Sequence, residues 1–577
     1  MSPRRLWVVV LVLLGGGATV VARSVQVTVV DGERWRERAE RQHQQVIEVS
    51  GPRGAIRSAD GYVLATSLDR VAIQLDTKLI GDAELFARAA APILDLDGDE
   101  LIERLRNGPR TVWLAKRMTP AVGEAVRELA PTAVVLVPDF ARVYPLGELA
   151  APVVGFVGHE ELLAVGRAGL EHLYNDALAG DPQTYLAVND AIQRKVRLER
   201  LDQGRDGFDL ELTLHARLQA VAERELVRAV SDQRADAASA VVLDPRTGAL
   251  LVLASVPSFD PSAPGKVTPE RWRLRPVQDA VEPGSTVKPI VAAAALSAGV
   301  VRRGERFDCT DRGTRVAGTW IRDHAEPGRY TIDEVVEYSA NAGIIKIAER
   351  LTPEHLYRTF TAFGFGSRSG IDFPAEARGL VPPVSGWSAL SRAGFALGQE
   401  LTVTPLQMAL AYAVIANGGW LPEPCLVAQA HTGRWSVPAD GPCRARVLDV
   451  ALAARLTSML EAVVEDGTGE EARVPGYRVA GKTGTAQRAV NGAFDDRHHV
   501  AWFAGFLPLP DPRLVVVVAI ENPRVEFWAS AAAAPVFSRI AEAAVRHLDL
   551  PRDGESLDDA LRMARAPSSS VVAGGGA

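Results

Sequence analysis

The first feature of the hydrophobic pattern is an uncharged apolar run near the start of the chain. Residues 6–22 contain mainly Val and Leu, with Trp7 and a glycine triplet, and Arg4 and Arg5 precede them. About 17 apolar residues just suffice to cross a bilayer as a helix. The two arginines predict that residues 1–5 are cytoplasmic, because positive flanks stay on that side of the membrane. A cleaved signal peptide is the alternative; an uncleaved anchor is favoured because the run is longer than a usual signal core.

Residues 23–210 show short helical and strand-like patterns without a catalytic cluster. Residues 23–48 are polar and helix-like, and Asp60-Gly61 is a hairpin signal between two short strand-like runs. Helical spacing marks three further runs, residues 82–94, 99–107 and 120–129. The region therefore predicts an α+β accessory domain.

Residues 211–550 predict a second, larger domain. A helical pattern at residues 214–230 opens it, and a largely helical stretch runs from residue 332 to about residue 460. Strand-like runs lie on either side of that stretch, at residues 240–243, 250–255, 477–480, 501–507 and 514–520, and a last amphipathic helix covers residues 534–548. This order predicts an antiparallel sheet with helices on both faces. Residues 551–577 predict a C-terminal tail, disordered from about residue 566.

Composition narrows the function. Of 577 residues, 47% are hydrophobic, and the net charge of −7 argues against a nucleic-acid partner, which would need a basic face. The three cysteines lack metal-ligand spacing. Of 64 basic residues only seven are lysines, and arginine cannot replace a lysine that acts as a base. A lysine retained in such a chain therefore suggests a chemical requirement.

One of these lysines lies in the sequence Pro283-Gly284-Ser285-Thr286-Val287-Lys288. Pro-Gly breaks the preceding structure, and an alanine-rich apolar run follows, so Ser285 is predicted in the first turn of a buried helix. A spacing of three places Ser285 and Lys288 on one helix face. A serine hydroxyl needs a nearby base to act as a nucleophile, and a lysine with a lowered pKa can be that base.

Two further motifs complete a recognisable set. Ser339-Ala340-Asn341 lies between two helical runs, and Lys482-Thr483-Gly484-Thr485 follows the strand-like run at residues 477–480. In this order, S-x-x-K, S-x-N and K-T-G resemble the motifs of penicillin-binding proteins and serine β-lactamases. The chain resembles in particular the class B penicillin-binding proteins, which are membrane-anchored peptidoglycan D,D-transpeptidases, and most closely their cell-division (septal) branch.

The accessory region also resembles this family, with one departure. Arg53-Gly54, Asp60-Gly61 and Leu64-Ala65 fit the family segment R-G-x-I-x-D-R-x-G-x-x-L-A, but Ser58-Ala59 stands where Asp-Arg is usual. The resemblance implies an α+β multidomain protein. One transmembrane helix and an α+β accessory (dimerisation or pedestal) domain precede a transpeptidase domain of the serine β-lactamase type.

The resemblance also implies the roles of the motif residues. Ser285 attacks the carbonyl between the two terminal D-alanines of a stem peptide, and Lys288 takes its proton. Ser339 relays protons, and Asn341 binds the substrate's backbone and steadies Lys288. No metal or organic cofactor is expected.

The third motif is implied to hold the substrate. Lys482, Thr483, Gly484 and Thr485 form the binding site for the terminal carboxylate, with Lys482 also counted among the catalytic residues. The backbone N–H groups of Ser285 and Thr485 would form the oxyanion hole. An amine from a neighbouring stem peptide then accepts the acyl group.

Partners and location follow from the same resemblance. The expected partners are stem peptides ending in D-Ala-D-Ala, β-lactams, a membrane glycan polymerase of the shape, elongation, division and sporulation type, and other divisome proteins. The expected location is the cell membrane, with an extracytoplasmic (periplasmic) catalytic domain at the division septum. An elongation-branch transpeptidase, a D,D-carboxypeptidase or β-lactamase, and a non-catalytic β-lactam-binding scaffold or sensor remain as alternatives.

Overall fold

The structure is a computed structural model that describes residues 3–31, 44–189, 195–202, 204–430, 435–436, 443–490 and 493–553. Its helices are α1 Pro3–Val25, α2 Ala83–Leu94, α3 Gly98–Asn107, α4 Pro120–Leu129, α5 Ala151–Val154, α6 Gly169–Leu173, α7 Asn175–Ala179, α8 Ala216–Gln233, α9 Arg275–Gln278, α10 Lys288–Ser297, α11 Ile332–Glu337, α12 Asn341–Ala348, α13 Pro353–Ala362, α14 Ser391–Leu397, α15 Pro405–Ala416, α16 Val450–Glu465, α17 Ala529–Ala532 and α18 Ala534–His547.

The strands are β1 Gln44–Val49, β2 Ile56–Arg57, β3 Val63–Asp76, β4 Thr111–Met118, β5 Val134–Val143, β6 Val157–Glu160, β7 Leu163–Gly166, β8 Gln183–Asn189, β9 Lys195–Asp202, β10 Leu210–Leu212, β11 Ala237–Leu243, β12 Leu250–Val256, β13 Phe307–Asp308, β14 Gly313–Val316, β15 Thr319–Arg322, β16 Arg329–Tyr330, β17 Trp420–Pro422, β18 Val427–Ala430, β19 Trp435–Ser436, β20 Cys443–Arg446, β21 Ala480–Val490, β22 Ala493–Leu507 and β23 Leu514–Glu521.

The N-terminal apolar run forms an exposed helix. α1 continues into a π-helical turn at Gln26–Val30, and Trp7 and Leu11 are about two-thirds exposed. By length and composition, the span Val10–Val30 could cross a membrane. Such a row of exposed apolar side chains would be unfavourable in water, which supports a membrane-anchored protein.

The accessory region contains strands and helices, as its pattern predicts. The predicted helix at residues 23–48 is wrong in its last part, because residues 44–49 form β1, which pairs antiparallel with β8. That pairing joins segments more than a hundred residues apart, which a local pattern does not register. The long strand β3 pairs with both β4 and β5, and α2, α3 and α4 pack against it.

The larger region is built on a five-stranded antiparallel sheet in the order β12-β11-β23-β22-β21. Every residue of β11 and β12 is buried. Alternate side chains enter two separate cores: Val241 and Leu253 pack with α10, α12 and α15, whereas Val242 and Ala254 pack with α8 and α18. Helices therefore cover both faces, which confirms the predicted fold class and explains the continuous apolar strands.

A mixed sheet connects the accessory and catalytic regions. β10 pairs in parallel with β2 and antiparallel with β18, which comes from far along the catalytic region. One hydrophobic cluster also extends from Ile56 and Leu64 into the catalytic core. Residue 210, the predicted domain boundary, is therefore the first residue of a strand shared by both regions. Most of the predicted tail lies outside the described residues.

Candidate active site

The S-x-x-K motif forms a tight turn that leads into α10. Residues Gly284–Val287 make one turn of 3₁₀-helix, and Lys288 begins the α-helix. Gly284 has a φ of +57°, and a Cβ atom there would lie 3.1 Å from the carbonyl oxygen of Thr485. Only glycine combines this backbone conformation with such close contact. The turn places Ser285, half-buried, on the floor of a cleft.

Lys288 lies fully buried beneath this cleft. Its Nζ donates to the backbone oxygen of Ser339 at 2.6 Å, to Oγ of Ser339 at 3.1 Å and to Oδ1 of Asn341 at 2.7 Å. Burial lowers the pKa of Lys288 from 10.5 to about 7, although the carboxylate of Asp323 acts in the opposite direction. Near neutral pH the lysine can therefore exist in both protonation states, as a general base requires.

The Ser339-Ala340-Asn341 segment is held in an unusual conformation. Ser339 lies between α11 and α12 with a φ of +58°, which is uncommon for a residue with a side chain. Asp323 fixes the loop, because its two carboxylate oxygens accept from the backbone N–H groups of Asn341 at 2.9 Å and Ala342 at 2.7 Å. Sequence reasoning missed Asp323, since it caps a helix that begins eighteen residues later and gives no local signal.

The K-T-G residues lie within a strand. The sequence pattern placed them after a strand at residues 477–480, which is wrong, because β21 begins at Ala480 and contains them. Gly481 and Gly484 mark close approach of other groups to this strand. A Cβ atom on Gly481 would lie 2.6 Å from the ring of Phe503, and one on Gly484 would lie 2.7 Å from Cγ2 of Thr286.

Lys482 is the second fully buried lysine of the site. Its Nζ donates to Oγ1 of Thr483 at 3.2 Å and to Oγ1 of Thr468 at 3.3 Å. Burial, together with the positive charge of Lys288, holds the pKa of Lys482 well below its usual value. Thr468, whose Oγ1 lies 2.8 Å from that of Thr483, extends the polar wall of the cleft and was also missed in the sequence.

Glu282, just before the turn of residues 284–287, is a half-buried titratable group. Its backbone oxygen accepts from Nε1 of Trp502 at 3.0 Å, and its Oε1 accepts from the N–H of Glu400 at 3.2 Å. Burial raises the pKa of Glu282 to about 7, with the nearby charge of Glu400 adding to the effect. These contacts fix the approach to the turn that carries Ser285.

The cleft has a volume of about 1430 Å³ and an aromatic rim. The rings of His499 and Phe527 stack at 4.7 Å between centroids, and those of His324 and Trp528 meet edge-to-face at 5.2 Å. Five of the predicted residues line the cleft: Ser285, Ser339, Asn341, Thr483 and Thr485. Lys288 and Lys482 are buried behind the lining and donate to Ser339 and Thr483, and Gly484 lies against the turn that carries Ser285. The fold therefore brings all eight residues together.

Two family models match the chain. The penicillin-binding protein transpeptidase domain matches residues 238–542, and the penicillin-binding protein dimerisation domain matches residues 48–212. The transpeptidase match lies within the catalytic region, and the dimerisation match lies in the accessory region and ends within β10.

Curated relatives match across most of the chain. It is 31% identical over 524 residues to peptidoglycan D,D-transpeptidase FtsI of Escherichia coli, covering 89% of this chain and 87% of the relative. The probable peptidoglycan D,D-transpeptidase PenA of Neisseria gonorrhoeae is 31% identical, with 91% and 89% covered. Stage V sporulation protein D of Bacillus subtilis is 32% identical, with 85% and 77% covered.

Solved structures agree with this assignment. Penicillin-binding protein 3 of Mycobacterium tuberculosis, solved with aztreonam, has a TM-score of 0.66 and 27% identity, covering 88% of this chain and 98% of that one. Penicillin-binding protein 2X of Streptococcus thermophilus has a TM-score of 0.75 at 21% identity, which shows the fold alone. The protein described here therefore belongs to the class B penicillin-binding proteins, with a dimerisation domain followed by a transpeptidase domain.

Proposed function

We propose that this protein is a serine D,D-transpeptidase that cross-links peptidoglycan stem peptides and is inhibited by β-lactams. One observation supports the proposal most strongly. Lys288, with a pKa near 7, lies one helical turn from Ser285, and its hydrogen bonds go to Ser339 and Asn341 of the second motif. The names of the curated relatives support the same chemistry.

The first step is acylation. The oxygen of Ser285 attacks the carbonyl carbon between the two terminal D-alanines while Lys288 in its neutral form accepts the hydroxyl proton. The backbone N–H groups of Ser285 and Thr485 stabilise the oxyanion, which is typically worth about 3–4 kcal/mol per donor. The C–N bond then breaks, Ser339 relays the proton to the leaving amine, and the terminal D-alanine departs.

The second step regenerates the serine. The amine of a neighbouring stem peptide attacks the ester carbon, and its proton passes to Lys288. The bond between carbon and the Ser285 oxygen then breaks, and Lys288 returns the proton to that oxygen. Asn341 positions the acyl donor by a hydrogen bond to the backbone amide of that donor peptide. A carboxypeptidase or β-lactamase would use water as the acceptor.

The K-T-G strand binds the substrate's terminal carboxylate. Lys482, Thr483 and Thr485 present an amine and two hydroxyls to it, and Gly484 lets the strand lie against the nucleophile turn. The pKa of Lys482 is low in the free enzyme because the amine is buried beside another lysine. A bound carboxylate favours the protonated amine, so substrate binding charges Lys482. That new positive charge then favours the neutral form of Lys288.

The domain layout and cellular role complete the proposal. Residues 1–5 are cytoplasmic, and residues 6–22 lie in the membrane anchor. Residues 23–210 form the accessory domain, and residues 211–550 catalyse the reaction outside the cytoplasm. Residues 551–577 form the tail. Similarity to relatives named FtsI supports the septal branch. The proposed partners are a membrane glycan polymerase of the shape, elongation, division and sporulation type and other divisome proteins.

Labelling with fluorescent penicillin tests the assignment. Ser285→Ala should abolish covalent labelling, whereas Ser530→Ala, which alters another serine of the same cleft, should label like the unmodified protein. Stoichiometric labelling of Ser285→Ala would refute the nucleophile. Product analysis with an amine acceptor then separates the transpeptidase, which forms a cross-linked dimer, from a carboxypeptidase, which releases only D-alanine and the shortened peptide.

A further inference from the structure

Three side chains with metal-ligating atoms lie close together in the fold. None of them belongs to the catalytic motifs. Asp60 lies in the turn between β2 and β3, His215 directly precedes α8, and His547 is the last residue of α18. One ligand atom from each lies within 4.8 Å of the other two. All three side chains are half-buried, and the cluster joins the accessory region to the first and last helices of the catalytic region.

The two histidine rings contact each other, but not all of their ring nitrogens have hydrogen-bond partners within the described part of the chain. His215 and His547 stand edge-to-face, with ring centroids 5.9 Å apart. Nδ1 of His215 is buried and has no hydrogen-bond partner among the described residues. Nε2 of His547 lies 3.9 Å from Oδ2 of Asp60, too far for a hydrogen bond. A buried polar atom without a hydrogen-bond partner is uncommon, and a bound ion or water molecule is one explanation for it.

The carboxylate of Asp60 is fixed from the other side. Oδ1 accepts from Oγ of Ser58 at 2.7 Å and from the N–H of Ala216 at 2.8 Å, and Oδ2 accepts from the N–H of Arg217 at 3.2 Å. Outer hydrogen bonds of this kind orient a ligating carboxylate and leave further lone pairs free. Ser58 belongs to the Ser58-Ala59 pair at which this chain departs from the family segment.

We propose that Asp60, His215 and His547 bind one Zn²⁺ ion, which ties the accessory domain to the ends of α8 and α18. Two imidazoles and a carboxylate form a set that suits Zn²⁺, whereas Mg²⁺ and Ca²⁺ prefer oxygen ligands alone. Ligands on a tetrahedral ion with bonds of about 2.0–2.1 Å stand about 3.3 Å apart. The ligand atoms need to approach one another by at most about 1.5 Å, and a water molecule would fill the fourth position.

Direct binding of Zn²⁺ to the full chain in detergent tests the proposal. After treatment with a chelator, titration against a chromophoric zinc indicator should give one bound Zn²⁺ per chain and a higher thermal unfolding temperature. Co²⁺ in its place should show the visible absorption of a four-coordinate site. No zinc uptake by the unmodified chain, or uptake without any rise in unfolding temperature, would overturn the proposal.

Single substitutions identify the ligands. His215→Ala and His547→Ala should each weaken Zn²⁺ binding by at least ~10²-fold, since losing a ligand costs more than losing its outer-shell partner. His159→Ala, at an exposed position in β6, should bind Zn²⁺ like the unmodified chain. Penicillin labelling should persist in all three variants and verifies that they fold. Equal binding by the His215 and control variants would overturn the site.

Discussion

At the scale of single residues, the proposed chemistry depends on two buried lysines. Lys288 and Lys482 are fully buried in a chain whose other cations are nearly all arginine. Arginine keeps its proton, whereas burial can bring a lysine close to neutrality. The structure lowers both lysine pKa values by the same cause, desolvation.

The pH dependence of the acylation rate should reflect the protonation of Lys288. Its pKa is lowered to about 7, so the neutral, proton-accepting form dominates above pH 7 and is lost as pH falls below it. Stopped-flow acylation by a β-lactam should therefore rise about tenfold per pH unit below the midpoint and level off above pH 7. Lys288→Arg should lower the rate by about 10²–10⁴-fold and remove the rise. A flat profile in the unmodified protein would contradict the assignment.

Asp323 should set the position of that midpoint. Its carboxylate favours protonated Lys288, so Asp323→Asn should shift the acylation midpoint to lower pH. The asparagine oxygen can still accept from one N–H at the start of α12, which preserves part of the cap. The measurement is the same pH–rate profile. A midpoint that stays in place while the rate falls would mean that Asp323 acts on the loop geometry alone.

At the scale of elements, the site depends on how closely β21 approaches the nucleophile turn. Gly484→Ala would bring a methyl group to 2.7 Å from Cγ2 of Thr286 and 2.8 Å from the backbone oxygen of Pro283. We expect a stability loss of about 1–3 kcal/mol from overpacking and an acylation rate lowered by about 10²-fold through misplacement. Gly265→Ala, with no atom within 4 Å, is the matched control. Equal kinetics in both variants would contradict the tight contact.

A buried charge network holds the elements of the accessory region. Glu171, on α6, accepts from Nε of Arg53 at 2.5 Å and from Nε of Arg142 at 2.6 Å, and the three side chains are at most 2% exposed. Glu171→Gln leaves two buried guanidinium groups without their counter-charge. The free energy of unfolding should fall by about 3–5 kcal/mol, as measured by urea denaturation.

The exposed pair in the same region provides the control. Glu160 and Arg167 lie 2.6 Å apart, but their side chains are 61% and 46% exposed. Water and salt screen such a pair, so Glu160→Gln should change stability by only about 0–1 kcal/mol. Comparable losses in the two glutamine variants would show that the network around Glu171 contributes no more than a surface pair.

At the scale of the whole molecule, three features join the regions. β10 pairs with strands from both regions, a hydrophobic cluster crosses between them, and the Tyr174 hydroxyl donates to Oδ2 of Asp372 at 2.6 Å. A sheet cut at β10 would leave the edge of β18 unpaired, which is a site for aggregation. The accessory and catalytic regions therefore stabilise each other.

The anchor, in contrast, stands apart from this body. The window that could cross a membrane is not buried against the rest of the structure. Removal of residues 1–31 should therefore release the protein into the soluble fraction while penicillin acylation continues at the same rate. Fractionation of both chains with penicillin labelling measures this. A truncated chain that stays in the membrane fraction would show that another surface provides the attachment.

The sequence by itself determined the features that depend on near neighbours. The spacing of Ser285 and Lys288, the apolar N-terminal helix, the helix at residues 120–129 and the buried strands β11 and β23 all follow from local periodicity. The three motifs also predicted that all eight residues belong to one site, because resemblance supplied the long-range information that periodicity lacks.

Only the tertiary structure decided the rest. Gly481 and Gly484 lie inside a strand because β22 pairs with them, and Phe503 and Thr286 leave no room there for a side chain. Residues 44–49 are a strand because β8 pairs with them. Asp323, Thr468 and the cluster of Asp60, His215 and His547 have no local signature, since each acts on groups distant in sequence. Side-chain burial and partners arise from packing, so the lowered lysine pKa values also belong to the folded chain rather than to its motifs.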